Sequence, residues 1–266
     1  MIRKTTMVLA AGAVLAGPAV AAEPILTGSA IYELSLDPSK GVGIASLSGT
    51  MTSRLTLECD VYVNEATLDS NLIAPDGSVV PLSVTSSSRE TDEELVFDVT
   101  TSLAGVAIDT ARGTAKRAGD ELVVSLSSPT TKEVTLKGPV LFPVEVVEAA
   151  IAAAKAGRTF SEFRAYDGTG GGEEIWTVSA LITPAGKATD ADQDVFVEGL
   201  GFADLDHWRM ALSYFAPSTG EQTPAFSTSM VVYENGFAQA AVYDMGQFAM
   251  RLDLTEFQPI ASEPCP

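Results

Sequence analysis

An all-β, mainly antiparallel fold is predicted for this 266-residue chain by three observations. Apolar and polar side chains alternate with a period of two over most of its length, which puts successive residues on opposite faces of a sheet. Dipeptides suited to tight turns separate several of the alternating runs. Only one segment departs from the pattern, and it has the spacing of a helix.

In chain order, the first residues set the compartment. Arg3 and Lys4 precede an apolar stretch from Met7 to Val20, and Ala19-Val20-Ala21 offers the small residues that a signal peptidase reads. The stretch is too short to span a membrane. Leu15-Ala16-Gly17 is followed by Pro18, not by the cysteine that a lipoprotein would acylate. Residues 1–21 are therefore expected to be a secretory signal, and 22–266 a single exported β domain without a transmembrane segment.

The strands follow. Tyr32, Leu34 and Leu36 alternate with Glu33 and Ser35. Leu55, Leu57, Cys59, Val61 and Val63 alternate with Thr56, Glu58, Asp60 and Tyr62, which reads as one strand with Cys59 in its buried row. Further strands are predicted over 79–85, 94–101, 121–127, 133–137, 160–166, 174–182, 208–215, 226–234, 237–243 and 247–257. Asp76-Gly77 and Asn235-Gly236 accept the positive φ angles of hairpin turns, and the second predicts a C-terminal hairpin. The helix is predicted from Pro143 to Gly157. Val144, Val147, Ile151 and Ala154 share a face, Pro143 suits the first position and Gly157 the end. Glu145 and Glu148 near its start, with Lys155 and Arg158 near its finish, complement the helix dipole.

Charge narrows the partners. The chain has 35 acidic and 16 basic residues, a net charge of −19, and loss of Arg3 and Lys4 with the signal takes it to −21. Nucleic-acid binding depends on neutralising phosphates with Lys and Arg, so no nucleic-acid partner is expected. Anionic lipid surfaces repel such a chain on average, and its acidity serves solubility.

Cys59 and Cys265 are the only cysteines. An even count in an exported protein predicts that they pair, a free thiol or an intermolecular bridge being the alternatives. Their bridge would tie an early strand to the extreme C-terminus.

Catalytic and metal-ligating patterns are weak throughout, and no catalytic, cofactor or metal site is predicted. His207 is the sole histidine, stands between Asp206 and Trp208, and has no Gly-x-Ser-x-Gly elbow to serve. It is expected to be exposed or to cap an element. Asp190-Ala191-Asp192-Gln193-Asp194 matches the first half of a calcium loop, but Val195 replaces the turn glycine and Gly201 the bidentate glutamate. A solvated acidic loop is the simpler reading. Gly168-Thr169-Gly170-Gly171-Gly172 lacks the Lys-Ser/Thr ending of a phosphate loop and runs into Glu173-Glu174, so it reads as a flexible hairpin connection. The acidic cluster from Glu90 to Glu94 suits a turn.

A family resemblance rests on the order of several motifs. Tyr32-Glu33-Leu34-Ser35-Leu36, Gly49-x-Met51 and Cys59-Asp60 come first. Leu136-Lys137-Gly138, Phe142-Pro143, Ala156-Gly157 and Tyr166-Asp167-Gly168 follow. Leu212-Ser213-Tyr214-Phe215, Tyr233-Glu234-Asn235-Gly236, Tyr243-Asp244-Met245-Gly246-Gln247-Phe248 and the terminal cysteine close the set. Across nearly the whole mature chain this resembles the EipB-like family of periplasmic cell-envelope integrity proteins. The resemblance implies a spiral, half-open β-barrel of about 14 strands with one packed helix, similar in shape to periplasmic lipoprotein carriers, and a disulfide between Cys59 and Cys265. Val144 and Val146 depart from the family pattern, which has a threonine and a polar or histidine residue there. Arg209 stands where proline is usual, and Asp92-Glu93 replaces an Asp-Gly turn.

The function expected is that of a non-enzymatic, monomeric periplasmic protein without cofactor that supports envelope integrity. Its concave sheet would hold a partner or an apolar ligand from the envelope, whether protein, lipoprotein or lipid. A periplasmic carrier of lipid or lipoprotein acyl chains is the alternative, and a cell-wall hydrolase using His207 or a carboxylate pair is a third reading.

Overall fold

The protein is described by a computed structural model over residues 25–184, 197–217, 220, 222–263 and 265. The expected signal sequence and the acidic loop at Asp190–Asp194 lie outside these residues.

Fourteen strands form one antiparallel sheet. The first eight are β1 (Gly28–Gly41), β2 (Ser46–Glu58), β3 (Val61–Ile73), β4 (Val79–Glu90), β5 (Glu94–Leu103), β6 (Val106–Ala118), β7 (Glu121–Ser128) and β8 (Lys132–Lys137). Helix α1 (Pro143–Lys155) follows, then β9 (Phe160–Ala165), β10 (Trp176–Pro184), β11 (His207–Phe215), β12 (Phe226–Tyr233), β13 (Ala238–Asp244) and β14 (Phe248–Pro259). The spatial order is β8-β7-β6-β5-β4-β3-β2-β1-β14-β13-β12-β11-β10-β9. Two meanders, β1–β8 and β9–β14, are thus joined where the first strand pairs with the last. Sequential hairpins produce this order directly, since each strand pairs with its neighbour in the chain.

The two edge strands, β8 and β9, flank α1 in sequence and do not pair with each other. Their gap is bridged by Leu141, whose N–H donates to the Arg164 carbonyl at 2.8 Å and whose carbonyl accepts from the Tyr166 N–H at 2.9 Å. Arg164 also donates to the Lys137 carbonyl at 2.7 Å. The barrel is therefore half open, with α1 lying inside the curl.

Side-chain alternation gives the two faces different chemistry. The register aligns Thr52, Thr67, Thr85, Thr100 and Thr110 in one row across β2–β6 on the outer face. The adjacent inner rows are Ser53-Ala66-Ser86-Val99-Ala111 and Leu55-Asn64-Ser88-Phe97-Gly113. The inner face of β9–β12 is fuller: Val178, Ala180, Ile182, Met210 and Leu212 are buried there with Trp176, against Val146, Ala150, Ala153 and Ala154 of α1.

Three expectations need correction. The run from Leu55 to Val63 is not one strand: a two-residue turn at Cys59-Asp60 divides it into β2 and β3, with Glu58 paired to Val61. Cys59 has φ 58° and is half-buried rather than part of a buried row. The turn lacks the Gly or Asn that usually marks it. It is held instead by the Cys59 N–H to the Glu263 carbonyl at 3.0 Å, and by the disulfide. The turn also shifts the alternation, so Tyr62 faces inward beside Leu57.

Strand β6 is missing from the sequence expectation because its inner row is Ala111, Gly113 and Ala115, too small to register as an apolar stripe. The glycine run does connect β9 to β10, but it is packed: a Cβ on Gly168 would lie 2.4 Å from the Phe97 ring, and one on Gly172 2.6 Å from Leu126. Tyr166 seals this plug by donating from its hydroxyl to the Gly172 carbonyl at 2.8 Å.

Candidate functional site

A cavity of about 490 Å³ lies between the inner face of β2–β5, the first turns of α1, the loop after β9 and the end of β13. Its apolar walls come from Leu55, Val84, Phe97 and Val99 of the sheet and from Val144 and Val147 of the helix. The polar groups are the hydroxyls of Tyr62, Ser86, Ser87, Ser88, Thr169 and Tyr243, the Asn64 amide, and the carboxyls of Glu90 and Asp167. That volume and mixture fit a small-molecule or acyl-chain site, for which ~300–1,000 Å³ is usual.

The helix creates the cavity through its two apolar faces. Val146, Ala150, Ile151, Ala153 and Ala154 are buried. Of the predicted face, Ile151 and Ala154 belong to this buried set, whereas Val144 and Val147 are half-buried and border the cavity. The alanines allow close approach to the filled wall. The valines pack at the edge of that core and border the cavity.

Its N-terminus is capped from a distance. Phe142 occupies the N-cap position and has no side-chain oxygen to offer. The Glu90 carboxylate, from the end of β4, accepts the Val144 N–H at 3.0 Å and the Glu145 N–H at 3.3 Å. A carboxylate at this end is favoured by the helix dipole. Glu145 reaches back to the Phe142 N–H at 2.7 Å and pairs with Arg117 of β6 at 2.5 Å, while the Arg117 guanidinium lies 4.1 Å from the centre of the Phe142 ring. At its other end α1 closes as predicted. Gly157, with φ 71°, donates to the Ala154 carbonyl, and the Arg158 N–H donates to Ala153.

Burial dominates the electrostatics. Glu90 is 4% exposed. Its pKa is pushed up to about 7, first by desolvation and then by the like charges of Glu145 and Glu148, against the lowering effect of the two helix N–H groups. Desolvation also raises Glu148, with Glu145 adding to it. Tyr62 is raised mainly by burial, although its hydroxyl accepts the Ile25 N–H at 3.0 Å. Asp167 is held by three donors on its Oδ1: the Thr169 N–H and hydroxyl at 2.9 and 2.6 Å, and the Trp176 indole at 3.1 Å.

The residues singled out in the sequence fall elsewhere. Cys59 and Cys265 form a disulfide with a Cα separation of 4.6 Å, at the tip of the β2–β3 hairpin. Among the described residues, Cys59, Asp60 and Cys265 make the one cluster of metal-ligating types, and both sulfurs are committed to the disulfide. His207 is neither exposed nor a cap. It stacks on Tyr233 at 4.9 Å, and its Nδ1 lies 3.0 Å from the Leu205 carbonyl, a packing arrangement outside the cavity. Glu90 belongs to the acidic cluster that suits a turn, and it does end β4, but its carboxylate is buried at the helix N-terminus. No local signal reveals its role, because the groups it caps are more than fifty residues away; the missing cap residue before Pro143 is the only hint.

A family profile described as EipB-like matches residues 19–261. Among solved structures, the crystal structure of a beta-barrel-like protein of the domain of unknown function DUF1849 from Brucella abortus matches with a TM-score of 0.81 and 22% sequence identity. The match covers 90% of this chain and 99% of that one. At this identity the likeness establishes the fold. No curated protein matches the chain. Among the described residues no helix is long and apolar enough to cross a membrane, and the disulfide points to an oxidising compartment.

Proposed function

The chain belongs to the EipB-like family, and on that premise we propose a non-enzymatic periplasmic protein that supports cell-envelope integrity by holding an envelope component in its concave cavity. Residues 1–21 act as its secretory signal, and the rest works as one β domain. The observation that carries this reading is the cavity of about 490 Å³, walled by apolar side chains from both sheet and helix. Exposed apolar surface of this kind is costly in water unless something covers it.

The apolar lining supports a second, narrower reading: a carrier of lipid or lipoprotein acyl chains, which would bind and release its cargo rather than keep it.

Complementation separates these readings from a hydrolase. Cells lacking the protein are restored with the wild type, Val147→Trp or His207→Ala, and their survival under detergent stress is compared at equal protein levels. Val147→Trp is expected to fail because it fills the cavity, and His207→Ala to succeed. Full rescue by Val147→Trp would remove the cavity from the function, and loss of rescue with a folded His207→Ala protein would reopen catalysis. Native mass spectrometry of the protein from periplasm, without detergent, then reads the cargo as an added mass.

A further inference from the structure

Resting on the reading of the cavity as a binding site, we propose that its ligand is an amphiphile with an apolar chain and a protonated amine head, and that anionic amphiphiles are rejected.

The lining contains no Lys or Arg. An anionic head would need a donor set, and the one place in the cavity suited to an anion is the N-terminus of α1. That position is already filled: the Glu90 carboxylate takes the Val144 and Glu145 N–H groups. On the adjoining β6, the Arg117 guanidinium is committed to Glu145, to the Val140 carbonyl at 3.0 Å and to the Phe142 ring. The helix donors that a lipid phosphate or carboxylate would use are therefore already occupied by Glu90, and an anionic head finds no partner left there.

Acceptors, in contrast, are in surplus. Asp167 takes all three of its hydrogen bonds on Oδ1, so Oδ2 has no donor among the described residues. Tyr62, Ser86, Ser88 and Asn64 add oxygens across the cavity from Asp167. Glu148 on α1 lies close enough to Tyr62 to act on its ionisation. The charged and titratable groups around the space are thus Glu90 from β4, Glu145 and Glu148 from α1, Asp167 from the loop, Tyr62 from β3 and Tyr243 from β13, with Arg117 neutralising one carboxylate only. An ammonium offers donors and a positive charge to this set, and charge-assisted bonds to a carboxylate offset the loss of its hydration. The apolar chain then lies along Val84, Val99, Val144 and Val147.

Calorimetric titration of the mature protein with dodecylammonium, dodecanoate and dodecyl maltoside tests this, each below its micelle concentration at neutral pH and about 0.15 M salt. The expected result is one dodecylammonium per chain, bound at least about tenfold more tightly than dodecanoate. Val147→Trp, and separately Ser86→Trp from the opposite wall, should abolish that single-site binding. Both variants leave the net charge unchanged, so surface attraction to an acidic protein would survive them and cavity binding would not; circular dichroism verifies that each is folded. Equal or tighter dodecanoate binding that the variants block would overturn the head-group assignment and keep the cavity. Binding of any probe that both folded variants leave intact, or no binding at all, would overturn the cavity reading itself and this inference with it.

Discussion

The two walls that face α1 were built from the same kind of strand but finished differently. On the β9–β12 side, Trp176, Val178, Ile182, Met210 and Leu212 pack with the Val146-Ala150-Ala153 stripe in one buried cluster. On the β2–β5 side, the inner rows carry Ser53, Ala66, Ser86 and Asn64, and α1 turns Val144 and Val147 toward them without contact-filling bulk. One wall anchors the helix and the other leaves room beside it. A half-open barrel gains a binding space by keeping small inner residues on part of one meander, here β2–β4, while β5–β7 of the same meander bury Leu95, Phe97, Leu122 and Val124.

The largest test of this division concerns what holds the meanders together. The disulfide fastens the β2–β3 hairpin of the open wall to the segment after β14, across a sequence separation of 206. Beside it, Glu263 pairs with Leu57 and Cys59 through main-chain bonds. Chain-entropy arguments assign about 5 kcal/mol to closing a loop of this length. Reduction, or the Cys59→Ser/Cys265→Ser protein, should therefore lose on the order of 5 kcal/mol in denaturant unfolding. Hydrogen exchange should then accelerate first in β2–β4. A reduced protein of unchanged stability would mean that the strap adds nothing to the open wall.

The next effect belongs to the contact between the open wall and the helix. Glu90 has an ordinary value of 4.5 and rises to about 7 in the folded protein. Folded protein therefore holds this proton more tightly than unfolded chain, so its contribution to stability is full below 4.5 and is lost as pH climbs to about 7. At about 1.4 kcal/mol per pH unit, the loss approaches an upper limit of about 3 kcal/mol. Glu90→Gln keeps an acceptor for the helix N–H groups and has no proton to lose. The stability difference between wild type and Glu90→Gln should therefore shift against the wild type between pH 4.5 and 7.5, while Glu148, whose pKa is also raised, is common to both proteins. A difference that is flat across this interval would show that Glu90 does not titrate at the helix end.

Much of the sheet is legible in the sequence, and the reasons for the failures are local. Asn235-Gly236 marks the β12–β13 turn because Gly236 needs φ 85°, and Asp76-Gly77 marks β3–β4 in the same way. Cys59-Asp60 carries no such mark, and its left-handed residue is held by a bond to a sulfur at the other end of the chain. Strand β6 escapes because Phe97 fills the space that Gly113 leaves, 3.1 Å from where a Cβ would stand. The cavity is the least legible part. Tyr62 and Glu90 reach it only through register and curvature, which no single strand's alternation encodes.

The smallest effect gives the sharpest contrast, because it places the same side chain, leucine, on the two faces of the same helix. Ala150 is 2% exposed against the filled wall, where the three extra carbons of a leucine meet packed neighbours. Ala150→Leu should cost about 1–3 kcal/mol through overpacking. Val147 borders the cavity, so the one-methylene increase of Val147→Leu has space to enter. It should change stability by less than about 0.5 kcal/mol. The two proteins also differ in what they do to binding: Ala150→Leu should leave cavity occupancy nearly unchanged once folded, whereas Val147→Leu narrows the space and weakens the longest chains first. Equal penalties in thermal unfolding would mean that both walls are packed to the same density, and the space beside Val147 would have to close in solution.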